Sequence, residues 1–217
     1  EILMNQFVAQ CDVIVHLAAM NRHENPQVIY DTNINLVKQL IHSLETTQSK
    51  AHVLFSSSTQ EEKNNLYVKS KKEGRQLIID WAKRAGGNFT GMIIPNVFGP
   101  FGLPNYNSFI ATFCYKLTHN ETPVVLVDSS VQLIYVTELV NSILTQIRAQ
   151  KGNPEWYIPH TSESKVTEIL ALLQSYKDQY LEKGIIPALK SVFETNLFNT
   201  FRCAMDIAHH FPVKFTQ

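Results

Sequence analysis

The chain has 217 residues, 44% apolar and 18% charged, so it can bury a real core and is too apolar to be disordered. Lys plus Arg equals Asp plus Glu at 19 each, which gives no electrostatic ground for a nucleic-acid or acidic-membrane partner. No apolar run reaches the length of a membrane span and no signal-peptide pattern opens the sequence, so a cytoplasmic protein is expected.

Residues 1–10 read as a helix with Ile2, Leu3, Phe7 and Val8 apolar. Residues 11–19 are a continuous apolar run of strand length, the pattern of a parallel strand buried on both faces. Ala18 and Ala19 close that run with small side chains. Ligands of open parallel sheets sit at the carboxyl ends of strands, so close backbone approach is expected there. Asn25-Pro26 marks a turn, and residues 28–46 carry a helical apolar stripe. Residues 51–56 form the next strand, running out into Ser56, Ser57, Ser58 and Thr59. Residues 66–85 are helical, stopped by Gly86-Gly87, and residues 89–94 are a third strand. This β-α-β-α-β order argues an α/β fold with a Rossmann-like, doubly wound parallel sheet.

After Pro95 the pattern changes. Residues 95–104 are a turn-rich loop and 106–119 a helix. Short strands are expected over 123–127, 133–136 and 155–158. Helices are expected over 137–150, with Thr137 as N-cap, and over 166–181 and 186–197. The organisation expected is a dinucleotide-binding part over 1–102, a small C-terminal substrate-binding lobe over 103–200 interleaved with the sheet, and a tail or linker over 201–217.

Chemistry concentrates in Ser-Ser-Ser58, Thr59, Tyr67 and Lys71. Tyr67 and Lys71 lie four apart, on one helix face. A phenol, an ammonium and a hydroxyl can move a proton to or from a carbonyl oxygen. A free Tyr titrates near ~10, and a nearby cation is expected to lower that value. Lys69 and Lys72 are read as solvated charges. His16 is read as a core histidine. His209-His210 lacks further spaced ligands, and Cys11, Cys114 and Cys203 are scattered without metal spacing, so no metal site is expected and the thiols are expected to be free.

His16-Leu-Ala-Ala19, Asn33, Ser-Ser-Ser58, Tyr67-x-x-x-Lys71 and Pro95-Asn-Val-Phe-Gly99 stand in this order. Over roughly residues 10–140 the set resembles the extended short-chain dehydrogenase/reductases, the NAD-dependent epimerase/dehydratase family, that act on nucleotide sugars. Leu103 to Lys116 and the short Ser58–Tyr67 gap look like the CapF family of capsular-polysaccharide enzymes. That resemblance implies NADPH-dependent reduction of the C4 ketone of a UDP-linked 4-keto-6-deoxy-N-acetylhexosamine in surface-polysaccharide synthesis. It implies NADP(H), with NAD as the alternative, a UDP-sugar substrate and a homodimer. The alternatives are an epimerase or dehydratase that returns its hydride, and a non-catalytic scaffold.

The roles implied are Tyr67 as general acid and Lys71 as ribose contact and pKa modifier. Ser58, or Thr59, would hydrogen-bond the substrate oxygen. Ala18, Ala19, Asn33, Lys71 and Pro95 would lie at the cofactor, with Asn33 ordering the active-site helix or a proton-relay water. Asn96, Asn105, Asn107 and Arg22 would lie at the substrate; for Asn105 and Asn107 a turn role stands beside it. The family's glycine-rich turn G-x-x-G-x-x-G and its C-terminal cupin are not seen. About 50 residues are therefore expected to precede this piece, at ~30 per βαβ unit, and the piece alone is expected to be inactive.

Overall fold

The computed structural model describes residues 2–58 and 65–210. They form two compact units. Of the described residues, the first comprises those up to Ile94 and those from Ser142 to Ile158, the second those from Pro95 to Asn141 and those from Pro159 onward.

The first unit opens with α1 (Ile2–Val8) and β1 (Val13–His16). Helix α2 (Pro26–Thr46) follows. Asn25, expected in a turn, is its N-cap, and the Asn25 side chain accepts the Gln27 N–H; proline at the first position has no N–H to lose. Strand β2 (His52–Ser58) leads to α3 (Leu66–Ala85). Asn65 caps the start of α3 by accepting from Val68 N, and Gly86 ends it in the left-handed conformation that glycine adopts without strain. Strand β3 (Phe89–Ile94) comes next.

Strands β1, β2, β3 and the later β6 (Asn153–Tyr157) form one sheet in the order β1-β2-β3-β6, every pair parallel. The α/β, Rossmann-like reading therefore holds. Strand β3 is buried at every position and β2 at nearly every one, as strands covered on both faces are. Helices α2 and α3 pack on each other, and the core gathers Val37, Leu40, Leu44, Val53, Phe55, Ile78, Trp81 and Phe89.

Strand β1 corrects one expectation. It spans four residues rather than nine, and Val15 and Leu17 are exposed. It stands at the end of the strand order, so its apolar run has cover on fewer sides than the sequence pattern suggests.

In the second unit β4 (Asn96–Phe98) pairs in parallel with β5 (Ser130–Tyr135), which pairs antiparallel with β7 (Ser162–Lys165). Helix α4 (Phe109–Thr118) starts at the Ser108 cap rather than at Tyr106. Residues 123–127 are not a strand: Val124, Leu126 and Val127 are exposed and join no ladder among the described residues, while Val125 packs against the core. Helix α5 (Val136–Arg148) begins before Thr137; Glu138, not Thr137, accepts the Tyr135 N–H at 3.1 Å. Helix α6 (Val166–Tyr176) passes into a π-helical turn (Lys177–Glu182). Helix α7 (Val192–Cys203) begins six residues later than expected, where Ser191 supplies the cap, and the short α8 (Ile207–His210) follows. Phe98, Phe113, Leu133, Ile169, Leu173, Leu197 and Phe201 build this unit's core.

Candidate active site

Strand β2 runs on through Ser58, so the serine hydroxyls are strand residues rather than loop residues. Ser56, Ser57 and Ser58 pair with Met92, Ile93 and Ile94 of β3. Ser57 is buried and Ser58 half-buried, and successive positions point to opposite faces of the sheet. Thr59 lies outside the described residues.

Tyr67 sits in the first turn of α3, half-buried, and Lys71 one turn on is 3% exposed. Lys69 and Lys72 are exposed, so the three lysines divide as the spacing predicts. Gly74 is what lets α3 come this close. A Cβ there would stand 3.1 Å from Val37 Cγ2 and 3.3 Å from Phe55 Cζ. With α3 drawn against β2, the Lys71 Nζ lies 4.2 Å from the Phe55 ring centroid. The His16 ring packs against the same phenyl ring at 5.3 Å between centroids.

Asn33 of α2, 4% exposed, has its amide fully engaged. Its Oδ1 accepts from Met20 N at 2.7 Å, and its Nδ2 donates to Met20 O at 2.9 Å and to Ser70 Oγ at 3.0 Å. The Ser70 hydroxyl donates to the Tyr67 carbonyl at 2.7 Å. Asn33 thus stitches the segment after β1 to the helix carrying Tyr67 and Lys71. Nearby, Tyr30 OH donates to Glu73 Oε2, a second tie between α2 and α3.

Burial pushes the Tyr67 phenol above the ordinary tyrosine value. This corrects the expected fall: desolvation decides the direction, and Lys71 is directed over Phe55. His16 is lowered to about 4, first by burial and then by the Lys71 charge; its Nδ1 is buried without a hydrogen-bond partner among the described residues.

The other expected residues distribute as follows. Ala18 is exposed, Ala19 half-buried and Arg22 exposed, all in the segment between β1 and α2. In the second unit Pro95 is buried, and Asn96 opens β4 with its Nδ2 donating to Gln132 O at 3.2 Å. Asn105 holds φ 56°, a left-handed conformation that asparagine tolerates, and its N–H donates to Thr112 Oγ1 at 2.9 Å. Asn107 is exposed just ahead of the Ser108 cap. The structure joins Asn33, Met20, Ser70 and Tyr67 directly, and places Lys71 and His16 on Phe55. Sequence reasoning missed Ser70, Phe55 and the contact made by His16. No sequence signal singles out Ser70, because α3 also holds Val68, Gly74 and Asp80, which form helix no better than serine.

Among the described residues no group of three or more His, Cys, Asp or Glu is placed to hold a metal ion, and no helix is long and apolar enough to cross a membrane.

The family model described as NAD dependent epimerase/dehydratase family matches residues 2–158. The chain is 29% identical over 150 residues to the UDP-2-acetamido-2,6-beta-L-arabino-hexul-4-ose reductase of Pseudomonas aeruginosa, covering 68% of this chain and 40% of that protein. It is similar to the capsular polysaccharide assembling protein CapF from Staphylococcus aureus, with TM-score 0.83 and 31% identity over 99% of this chain and 58% of that one. UDP-N-acetylglucosamine 4-epimerase from Methanobrevibacter ruminantium M1 shares the fold, with TM-score 0.76 and 19% identity over 92% of this chain and 78% of that one. The chain spans less than two-thirds of the length of the first two.

Proposed function

Because the chain belongs to the NAD dependent epimerase/dehydratase family, we propose that it carries the proton-transfer residues of a nucleotide-sugar reductase. The reaction is NADPH-dependent reduction of the C4 ketone of a UDP-linked 4-keto-6-deoxy-N-acetylhexosamine. The observation that carries this reading is the buried Lys71 one turn from the half-buried Tyr67, on a helix tied through Ser70 and Asn33 to the segment after β1. The likeness to a Pseudomonas aeruginosa reductase and to CapF supports the choice of reaction.

The small side chains of Ala18 and Ala19 suit a dinucleotide, because they leave the backbone after β1 open to close approach. Lys71 adds a buried cation beside that face of α3. These residues, with Pro95, would hold the cofactor. Bound NADPH supplies a hydride to C4. Tyr67 donates its phenolic proton to the C4 oxygen as negative charge develops there. A phenol raised by burial stays protonated through the neutral range, so the acid is loaded before substrate arrives. Lys71 stabilises the phenolate left behind. Ser58, or Thr59, hydrogen-bonds the substrate oxygen and fixes it for proton transfer. Asn96, Asn105, Asn107 and Arg22 are assigned to the nucleotide sugar. The cytoplasm is the proposed compartment, supported by the free thiols of Cys11, Cys114 and Cys203, and a homodimer the proposed assembly.

The test is loss of absorbance at the reduced nicotinamide band when the whole protein meets NADPH and this UDP-4-keto sugar. Stoichiometric oxidation of added NADPH supports a reductase. Conversion of sugar without net oxidation turns the assignment to an epimerase or dehydratase.

A further inference from the structure

Resting on the reductase reading, we propose that Ser70 is a positioning residue that couples the segment after β1 to the turn of α3 carrying Tyr67. Ser70 is 1% exposed. Its hydroxyl proton goes to the Tyr67 carbonyl at 2.7 Å, and its oxygen accepts from Asn33 Nδ2 at 3.0 Å. Asn33 spends its remaining amide hydrogen and its Oδ1 on Met20 O and Met20 N. The result is one unbroken path: Met20 backbone, Asn33 amide, Ser70 hydroxyl, Tyr67 backbone. Ser70 and Asn33 are both buried, so loss of either leaves polar groups of the path without their protein partner.

The site did not need a serine to be helical. Alanine is the better helix former, and a serine bonded back to a carbonyl of its own helix mildly disfavours it. The Tyr67 carbonyl is also the regular helical acceptor for the amide of residue 71. The Ser70 bond therefore acts on the peptide group that sets the orientation of both Tyr67 and Lys71. A ligand that orders the segment after β1 thereby orders the acid, and the reverse holds with the same strength.

The experiment uses the whole protein and compares Ser70→Ala, Asn33→Ala and the double variant, with NADPH and the UDP-4-keto sugar as probes. Ser70→Ala should fold with an unchanged circular-dichroism spectrum. It should lose about tenfold in kcat through misplacement of the acid. Its KM for the sugar should stay within about twofold, since no substrate contact is removed. Without ligand, the Met20 amide should exchange with deuterium faster in Ser70→Ala than in the wild type. The double variant should be no slower than Asn33→Ala, because both break one path. Losses that multiply, or an unchanged Met20 exchange rate, would overturn the coupling. A wild type that leaves NADPH unoxidised would overturn the reductase reading instead, and the exchange measurement would still decide the coupling.

Discussion

The ammonium of Lys71 stands over the Phe55 ring, 4.2 Å from its centroid, and His16 contacts the same ring. A desolvated cation on an aromatic face gains about 2 kcal/mol. Phe55→Leu keeps an apolar residue but removes that face and leaves a gap at a position 1% exposed. It should cost about 1–3 kcal/mol in urea unfolding and lower turnover by releasing Lys71. Turnover equal to the wild type would show that the ring contact is not what holds the ammonium.

Tyr67→Phe in the whole protein should abolish ketone reduction, by about 10²-fold or more, with NADPH affinity nearly unchanged. The phenolic hydroxyl is the only group removed. Turnover within about tenfold of wild type would take Tyr67 out of the acid role.

The basic limb of kcat/KM reports the acid of the free enzyme. Burial raises the Tyr67 phenol, so that limb should lie above the ordinary tyrosine value of ~10. A limb below ~9 would mean that Lys71 overrides desolvation, and Lys71→Met would then move it upward.

His16 has its pKa lowered to about 4, against 6.5 in the unfolded chain. Between those values the unfolded state binds more protons, so stability rises with pH. The contribution is complete above 6.5 and lost as pH falls through about 4. Its size is about 3 kcal/mol at most, at ~1.36 kcal/mol per pH unit. His16→Asn should flatten the acid limb of a stability-against-pH curve, and an unchanged limb would exclude His16 as its source.

Gly91 faces the backbone of β6. A Cβ there would stand 2.3 Å from Pro154 O, so the strands must part to admit it. Gly91→Ala should destabilise the protein by about 2–4 kcal/mol, read from the urea midpoint. An unchanged midpoint would mean that the β3–β6 edge yields at little cost.

The parallel sheet was legible in the sequence because strand-length runs at 11–19, 51–56 and 89–94 alternate with helical stretches that carry start and stop signals. Tyr67 and Lys71 were legible because helical spacing alone puts them on one face. What failed had local patterns that tertiary structure overrode. Ser162-Glu-Ser-Lys165 has no strand-like residue but becomes a strand because β5 offers it an open edge. Residues 123–127 have the right residues and, among the described residues, no partner strand. The pKa direction at Tyr67 failed for another reason: spacing fixes which residues share a face, but not how much water each keeps. Ser70 was illegible because the sequence shows a helix position and not its neighbour on α2.

Strand β6, the partner of β3, arrives only after the chain has built residues 95–152, all of α5 included. On the ribosome, at about 5–20 residues per second, the 63 residues from Ile94 to Tyr157 take about 3–13 s. For that interval the apolar strand Phe89–Ile94 has neighbours to pair with on one side alone, which is the condition under which nascent chains pair with each other. Slow codons within residues 95–152 would lengthen the interval, and the yield of soluble protein should fall with them.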